Sequence, residues 1–446
     1  MILKKLSRMT SLAIISNVTL GTSAILAGDI DKDVQKMLPE LVSFYKYTHS
    51  HPELSYYEKE TSERLATELE KIGFEVTTPI GKYPDLNLIS YGVVAVMKNG
   101  SGPVVLVRSD IDALPILEKT GVDYASTMKQ TGESGKQEPV MHACGHDMHQ
   151  TILLGTARLL TEMKERWSGT LILIGQPAEE RGGGVRAMLA GGLYEKWPVP
   201  DYALAEHVDP SLEAGQVGYC PGFAMASIDM VDITIYGVGA HGARPHQGID
   251  PIVIASQIVN SLQTLVSRSI NPVETGVVTV GSFHGGSKHN IISDEVNLQL
   301  TVRSFKEDVR KILLDGIERI AANTARANGM PEDRLPVIHN RKQEFFPVLY
   351  NDPQLVERSV KAFKSSLGED RVIRILPTTG GEDFSEFGRT EHKVPIFLYR
   401  VGTAPPGSEP NNRPGLHSAL FIPEVEPTIS TGVTSMTAAV LELMGR

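Results

Sequence analysis

Val104-Val105-Leu106-Val107-Arg108-Ser109-Asp110-Ile111-Asp112 is the stretch whose reading decides the fold. Its first four residues have no polar face, which marks a strand covered on both sides, as in a parallel sheet sandwiched between helices. Acids at the exit of such a strand stand where α/β proteins place their ligands. Two more runs repeat the pattern. Leu171-Ile172-Leu173-Ile174 empties into Gln176-Pro177-Ala178-Glu179-Glu180, and Tyr202-Ala203-Leu204-Ala205 empties into Glu206-His207. Three buried strands thus each end in a residue able to bind metal.

The segment Met141-His142-Ala143-Cys144-Gly145-His146-Asp147-Met148-His149 adds three histidines, a cysteine and an aspartate, in a chain with only 13 His and 2 Cys. Cys144 and His146, on backbone bent by Gly145, can turn onto one cation. Thiolate and imidazole suit zinc and other transition metals rather than magnesium or calcium. His142, Asp147 and His149 are candidates to orient such ligands. Taken alone, the same loop is also compatible with polar side chains bonded to backbone. The adjacent carboxylates Glu179 and Glu180 suit two jobs, one binding metal and the other acting as general base. A lone pair of glutamates would equally suit a solvated turn.

At 446 residues the chain calls for two domains, and 41% apolar content with 41 Gly and 27 Pro is that of a folded, loop-bearing protein. A net charge of −10 argues against non-specific nucleic-acid binding. Lys4, Lys5 and Arg8 followed by a mildly apolar run and Ser23-Ala24-Ile25-Leu26-Ala27 read as a signal peptide over residues 1–27. Ser16, Asn17, Thr19 and Thr22 make that run too polar for a membrane anchor. The expectation is an exported protein, periplasmic or secreted, with no membrane partner after cleavage. In an oxidising compartment a Cys144–Cys220 disulfide competes with the use of Cys144 as a ligand.

Helical spacing over 30–75 breaks at His51-Pro52, and a second helix over 58–72 stops at Gly73. Asn99-Gly100-Ser101-Gly102 reads as a turn between strands at 93–97 and 104–107, and a helical stripe covers 152–163. From about Ile228 the pattern becomes strand–helix–strand–strand–helix–strand, a ferredoxin-like insert. Helices at 354–367 and after Pro427 close the first domain. The resulting fold class is α/β, with a catalytic domain over 28–226 and 342–446 and an inserted α+β domain over 227–341.

Together these stretches resemble the two-metal amidohydrolases and carboxypeptidases, the family of hippurate hydrolase, N-acyl-amino-acid hydrolase and auxin–amino acid conjugate hydrolase. Further motifs extend the resemblance: Gly239-Ala-His-Gly-Ala-Arg-Pro-His246, Asn290-Ile-Ile-Ser-Asp294, Thr301-Val-Arg303, Gly381-Glu-Asp-Phe-Ser385 and His417-Ser418. The resemblance implies a zinc-peptidase-like catalytic domain with a mixed, mostly parallel sheet, and an insert that serves as lid and dimerisation domain. It implies two divalent metal ions per chain, Zn or Mn expected and Co or Ni compatible, held by Cys144, His146, Glu180, His207 and His417. By the same resemblance Glu179 is the general base toward a metal-bridging water, Asp112 orients a ligand, and His241 donates to the oxyanion across a homodimer. Asn290 and Arg303 would hold the substrate's α-carboxylate. Ser109, Ile111, Ser293 and Leu300 depart from the family's usual residues, none of them at a proposed ligand. The expected reaction is hydrolysis of N-acyl amino acids or similar carboxylate-bearing amides. A dipeptidase or carboxypeptidase is the alternative. A non-catalytic metal- or peptide-binding protein is disfavoured by a complete catalytic constellation.

Overall fold

A computed structural model describes residues 13–83, 86–133 and 135–446, with side chains from residue 30 onward. The first 12 residues of the expected signal peptide lie outside the described residues, and its remainder is described by backbone alone. Among the described residues no helix is long and apolar enough to cross a membrane. The chain divides into two compact units.

The first unit runs through Gly222 and resumes over Asn351–Leu376 and Glu386–Arg446. Its eight-stranded sheet has the order Glu75–Tyr83, Leu88–Asn99, Gly169–Gln176, Val104–Asp110, Tyr202–Glu213, Ile396–Ala404, Val217–Tyr219, Val372–Arg374. The Val104–Asp110 strand is parallel to both neighbours, and Ile396–Ala404 continues the parallel set. Leu88–Asn99 joins it antiparallel. Both faces of Val104–Asp110 are buried, as its unbroken apolar run requires. Val105 and Val107 pack into a core shared with helices Ala13–Ser50, His146–Glu162, Pro353–Leu367 and Val425–Met444, while Leu106 is buried on the other face. One expectation changes. The Asn99 to Gly102 segment does not join neighbours, because Gly169–Gln176 lies between the two strands it connects. Local periodicity identifies a strand but carries no information about who pairs with it.

The second unit comprises Phe223–Tyr350 and Pro377–Ser385. Its antiparallel sheet runs Gly276–Gly285, Glu295–Ser304, Ser227–Tyr236, Val337–Asn340, and with helices Pro251–Thr264 and Glu307–Ala327 this is the ferredoxin-like order. Ile233, Ile235, Ile254, Ile258, Leu298, Leu313 and Ile317 fill its core. The unit is wider than 227–341 and takes in the 377–385 segment assigned above to the catalytic domain. Backbone bonds hold it there: Ala226 N to Thr378 O (3.2 Å) and Thr378 N to Ala224 O (3.0 Å).

Candidate metal centre

Parallel pairing brings the exits of three strands to one edge of the first unit's sheet. Val104–Asp110 leads into Asp112, Gly169–Gln176 into Glu179 and Glu180, and His207 lies on Tyr202–Glu213. Between Cys144 and His146, Gly145 adopts φ 81°, and a Cβ there would stand 2.5 Å from Val208 Cγ2. Only glycine fits this turn, which faces Cys144 and His146 into the same space. His417 also has a left-handed backbone (φ 62°), held by its N–H donating to Ala143 O at 2.8 Å. The loop that carries His417 is thereby tied to the loop that carries Cys144.

The ligand-type atoms of Cys144, His146 and His207 lie within 4.8 Å of one another, and so do those of Cys144, Glu180 and His417. Cys144 belongs to both groups, so one sulfur faces two positions. Its Sγ is 3.5 Å from His207 Nε2, and His417 Nε2 is 3.3 Å from Glu180 Oε1. Glu179 forms a further group of the same tightness with His146 and Glu180. Asp112 is the organiser beneath them. It accepts from Ser55 Oγ (2.7 Å) and Glu180 N (3.1 Å) and faces His146 Nδ1 (3.2 Å). His207 Nδ1 donates to Val208 O at 2.8 Å, which leaves Nε2 as the atom with a lone pair.

One buried atom aimed into this space, His146 Nε2, has no hydrogen-bond partner among the described residues, and Glu180 Oε1 meets His417 Nε2 at 3.3 Å. An orphaned buried ring nitrogen is costly, and a divalent cation would satisfy it. Charge agrees. Burial pushes the Cys144 thiol up, and Glu180 and Glu179 add to the shift. A cation reverses that sign and favours the thiolate. Burial opposes a charge on His146, yet Asp110, Asp112 and Glu180 lift it to about 10, the mark of a strongly anionic cluster. His207 is held well below its usual value, by burial first and then by His149 and Arg400, so it presents a neutral imidazole.

The structure also shows what surrounds the ligand groups, including Asp110, Glu58 and His49, which the sequence reading left without a role. Asp110, His146 and His149 form another close group, in which both ring nitrogens of His149 are already bonded. His149 Nδ1 donates to Asp110 Oδ1 at 2.5 Å, and its Nε2 accepts from Val208 N at 2.9 Å. Arg108 adds a 2.8 Å bond to Asp110. Burial opposes ionisation of Asp110, but His146, His149 and Arg108 hold it well below the usual carboxylate range. Fully buried Glu58 accepts from Ala178 N (2.7 Å) and Tyr56 N (2.9 Å), fixing the left-handed Ala178 just ahead of Glu179. Asp147 turns from the centre to His49. Neither ring nitrogen of buried His142 finds a partner among the described residues. Spacing could have pointed to Asp110, two residues from Asp112, whereas nothing local singles out His49 or Glu58. Cys144 and Cys220 are both free thiols.

In the second unit, His241 and Asn290 are brought together. The Ala240–His241 strand pairs with Ile291–Ile292, and Gly242 N donates to Asn290 O at 2.8 Å. Both residues are exposed. His241 Nδ1 accepts from Ala243 N at 3.0 Å, which leaves Nε2 as the nitrogen that can donate. Arg303 stands apart on Glu295–Ser304 and donates to Thr379 O at 2.6 Å, so its partner is a backbone carbonyl.

Comparison with known proteins bears out the resemblance. The thermostable carboxypeptidase 2 of Saccharolobus solfataricus is 34% identical over 380 residues, 85% of this chain and 89% of its own. The N-acetyl-L-cysteine deacetylase of Bacillus subtilis is 36% identical over 366 residues, 81% of this chain and 80% of its own. Among solved structures, the Bacillus subtilis YxeP protein, a dinuclear metal-binding peptidase from the M20 family, is similar with a TM-score of 0.71 at 29% identity. It covers 92% of this chain and 100% of that one. The family description "Peptidase family M20/M25/M40" matches residues 106–419. That span starts inside the Val104–Asp110 strand and ends just past His417, taking in every candidate side chain above, and the chain belongs to peptidase family M20/M25/M40.

Proposed function

We propose that this chain is a hydrolase of amide bonds in N-acyl amino acids, working with two divalent metal ions. Family membership supports metal-dependent amide hydrolysis. The observation that supports the site is the pair of ligand groups sharing Cys144, with His146 Nε2 left without a hydrogen-bond partner among the described residues. Cys144, His146 and His207 would hold one ion, and Cys144, Glu180 and His417 the other. Divalent cations at these positions supply Lewis acidity toward water and toward the scissile carbonyl. Zn and Mn suit the donor set, and Co and Ni are compatible.

The protein's own groups do the rest. Glu179 is buried at the head of a short turn fixed by Glu58 and follows Ala178, so its carboxylate has little freedom. In this reading it takes the proton of the attacking water and returns it to the leaving amine nitrogen. Asp112 keeps His146 and Glu180 in place through its bonds to both. His241, with Nε2 free to donate, serves the carbonyl oxygen of the partner subunit's site across a homodimer as charge develops, and Asn290 and Arg303 take the substrate's carboxylate.

The test is release of free amino acid from a panel of N-acyl amino acids and dipeptides by metal-stripped protein, before and after adding Zn or Mn. Metal-dependent release from the N-acyl members supports the proposal. Release from dipeptides alone supports the peptidase reading, which the carboxypeptidase relative favours. Metal-independent release refutes both. Within the same proposal the chain is exported after cleavage at Ala27 and pairs through its second unit. N-terminal sequencing and solution mass check these two points.

A further inference from the structure

His149 is fully buried in the first turn of helix His146–Glu162, between two of the candidate ligands. Its ring centroid is 5.5 Å from that of His146, tilted by 30°, and 4.6 Å from that of His207, edge-on at 61°. None of its bonds or ring contacts among the described residues reaches Glu180 or His417.

The sheet explains why a side chain must stand there. Val104–Asp110 and Tyr202–Glu213 pair only from Val105↔Tyr202 to Arg108↔Ala205. Past that register Val104–Asp110 stays with Gly169–Gln176 as far as Asp110↔Gln176, and Tyr202–Glu213 stays with Ile396–Ala404. The two strands part, and a buried amide left unpaired in the gap would be costly. The ring of His149 fills that gap. Its Nε2 accepts from Val208 N at 2.9 Å, which puts the proton on Nδ1, and Nδ1 donates to Asp110 Oδ1 at 2.5 Å. Arg108 Nη1 holds the other oxygen of Asp110 at 2.8 Å. The Glu206 carboxylate is 3.9 Å from Nε2, too far to compete for it. One ring thus ties the helix that carries His146 to the strand that carries His207 and to the strand exit at Asp110.

We infer that His149 is a positioning residue for one metal position, that of Cys144, His146 and His207. It fixes the ring of His207 against that of His146, and the position of Cys144, Glu180 and His417 does not depend on it. The inference rests on the two-metal reading above.

The experiment titrates zinc into the metal-stripped full chain against a competing chelator, which gives the affinity of each position. His149→Leu keeps most of the ring's bulk but neither of its bonds. It should weaken one of the two binding steps about 10–100-fold and leave the other within about threefold. Adding His207→Ala should abolish the weakened step, and adding His417→Ala the unchanged one. His149→Gln, whose side-chain oxygen can accept from Val208 N, should recover most of the lost affinity. Circular dichroism of each apoprotein checks that the fold persists. Should His149→Leu not fold, His149→Asn, too short to reach Val208, takes its place. Both steps weakened alike, neither step moved, no recovery with glutamine, or a weakened step that His417→Ala abolishes overturns the inference alone. No zinc bound by the unmodified chain refutes the two-metal reading instead.

Discussion

Replacing His49 by alanine should destabilise the first unit strongly near neutral pH and much less in alkali. His49 lies in the last turn of helix Ala13–Ser50 and is 2% exposed. Its Nδ1 is 2.6 Å from Asp147 Oδ2, and its Nε2 is 3.0 Å from Glu118 Oε1. Burial opposes its charge, but the bonds to Asp147 and Glu118 raise it from 6.5 to about 9. That rise corresponds to on the order of 3 kcal/mol favouring the charged ring in the folded state. Loss of one member of a buried ion cluster costs about 3–5 kcal/mol, which agrees. The raised value sets the sign: the contribution is complete below the ordinary pKa of 6.5 and is lost as pH rises through about 9. Asp147 and Glu118 are lowered, so they are ionised throughout this window. Tyr45 and Tyr124 also face the ring, and both are raised, Tyr124 to about 12, so they remain neutral there. Both tryptophans, Trp167 and Trp197, belong to the first unit, so fluorescence follows its unfolding in urea. At pH 6 the variant should be less stable by on the order of 3 kcal/mol, with the gap narrowing above pH 9. Equal midpoints at pH 6, or a gap that widens with pH, would refute the reasoning.

Four further substitutions probe the chemistry. Glu179→Gln should retain both metals and lose about 10²–10⁴-fold in kcat, so near-normal turnover would place the base elsewhere. His241→Ala should lower kcat by about 10²–10³-fold with metal content unchanged, and an unaltered rate removes it from the oxyanion site. Glu58→Ala frees the Ala178 N–H and should lower kcat more than it changes KM, while Glu58→Gln, which keeps an acceptor oxygen, restores much of the loss. Equal effects of the two Glu58 variants would argue against that positioning role.

Much of this was legible in the sequence because single segments carry it. Unbroken apolar runs ending in acids announced buried parallel strands with a site at their exits, and the strand–helix–strand–strand–helix–strand order from about Ile228 announced the insert. The five candidate ligands stand in short local motifs. What escaped depends on contacts between distant segments. Strand order is one case, since Gly169–Gln176 inserts between strands that a short turn joins. The clamp of His49 on Asp147 spans 98 residues. The hold of Glu58 on Ala178 spans 120, and no spacing rule reaches so far. The outer limit of the second unit escaped for the same reason, because backbone bonds from Thr378 rather than composition set it.

The central claim is that one sulfur serves two metal positions, and metal content measures it directly. Inductively coupled plasma analysis of the Zn- or Mn-loaded protein should find two ions per chain. Cys144→Ala should lose both, because Cys144 belongs to both ligand groups, whereas His417→Ala should lose one. Two ions retained by Cys144→Ala, or none bound by the unmodified chain, would contradict the account.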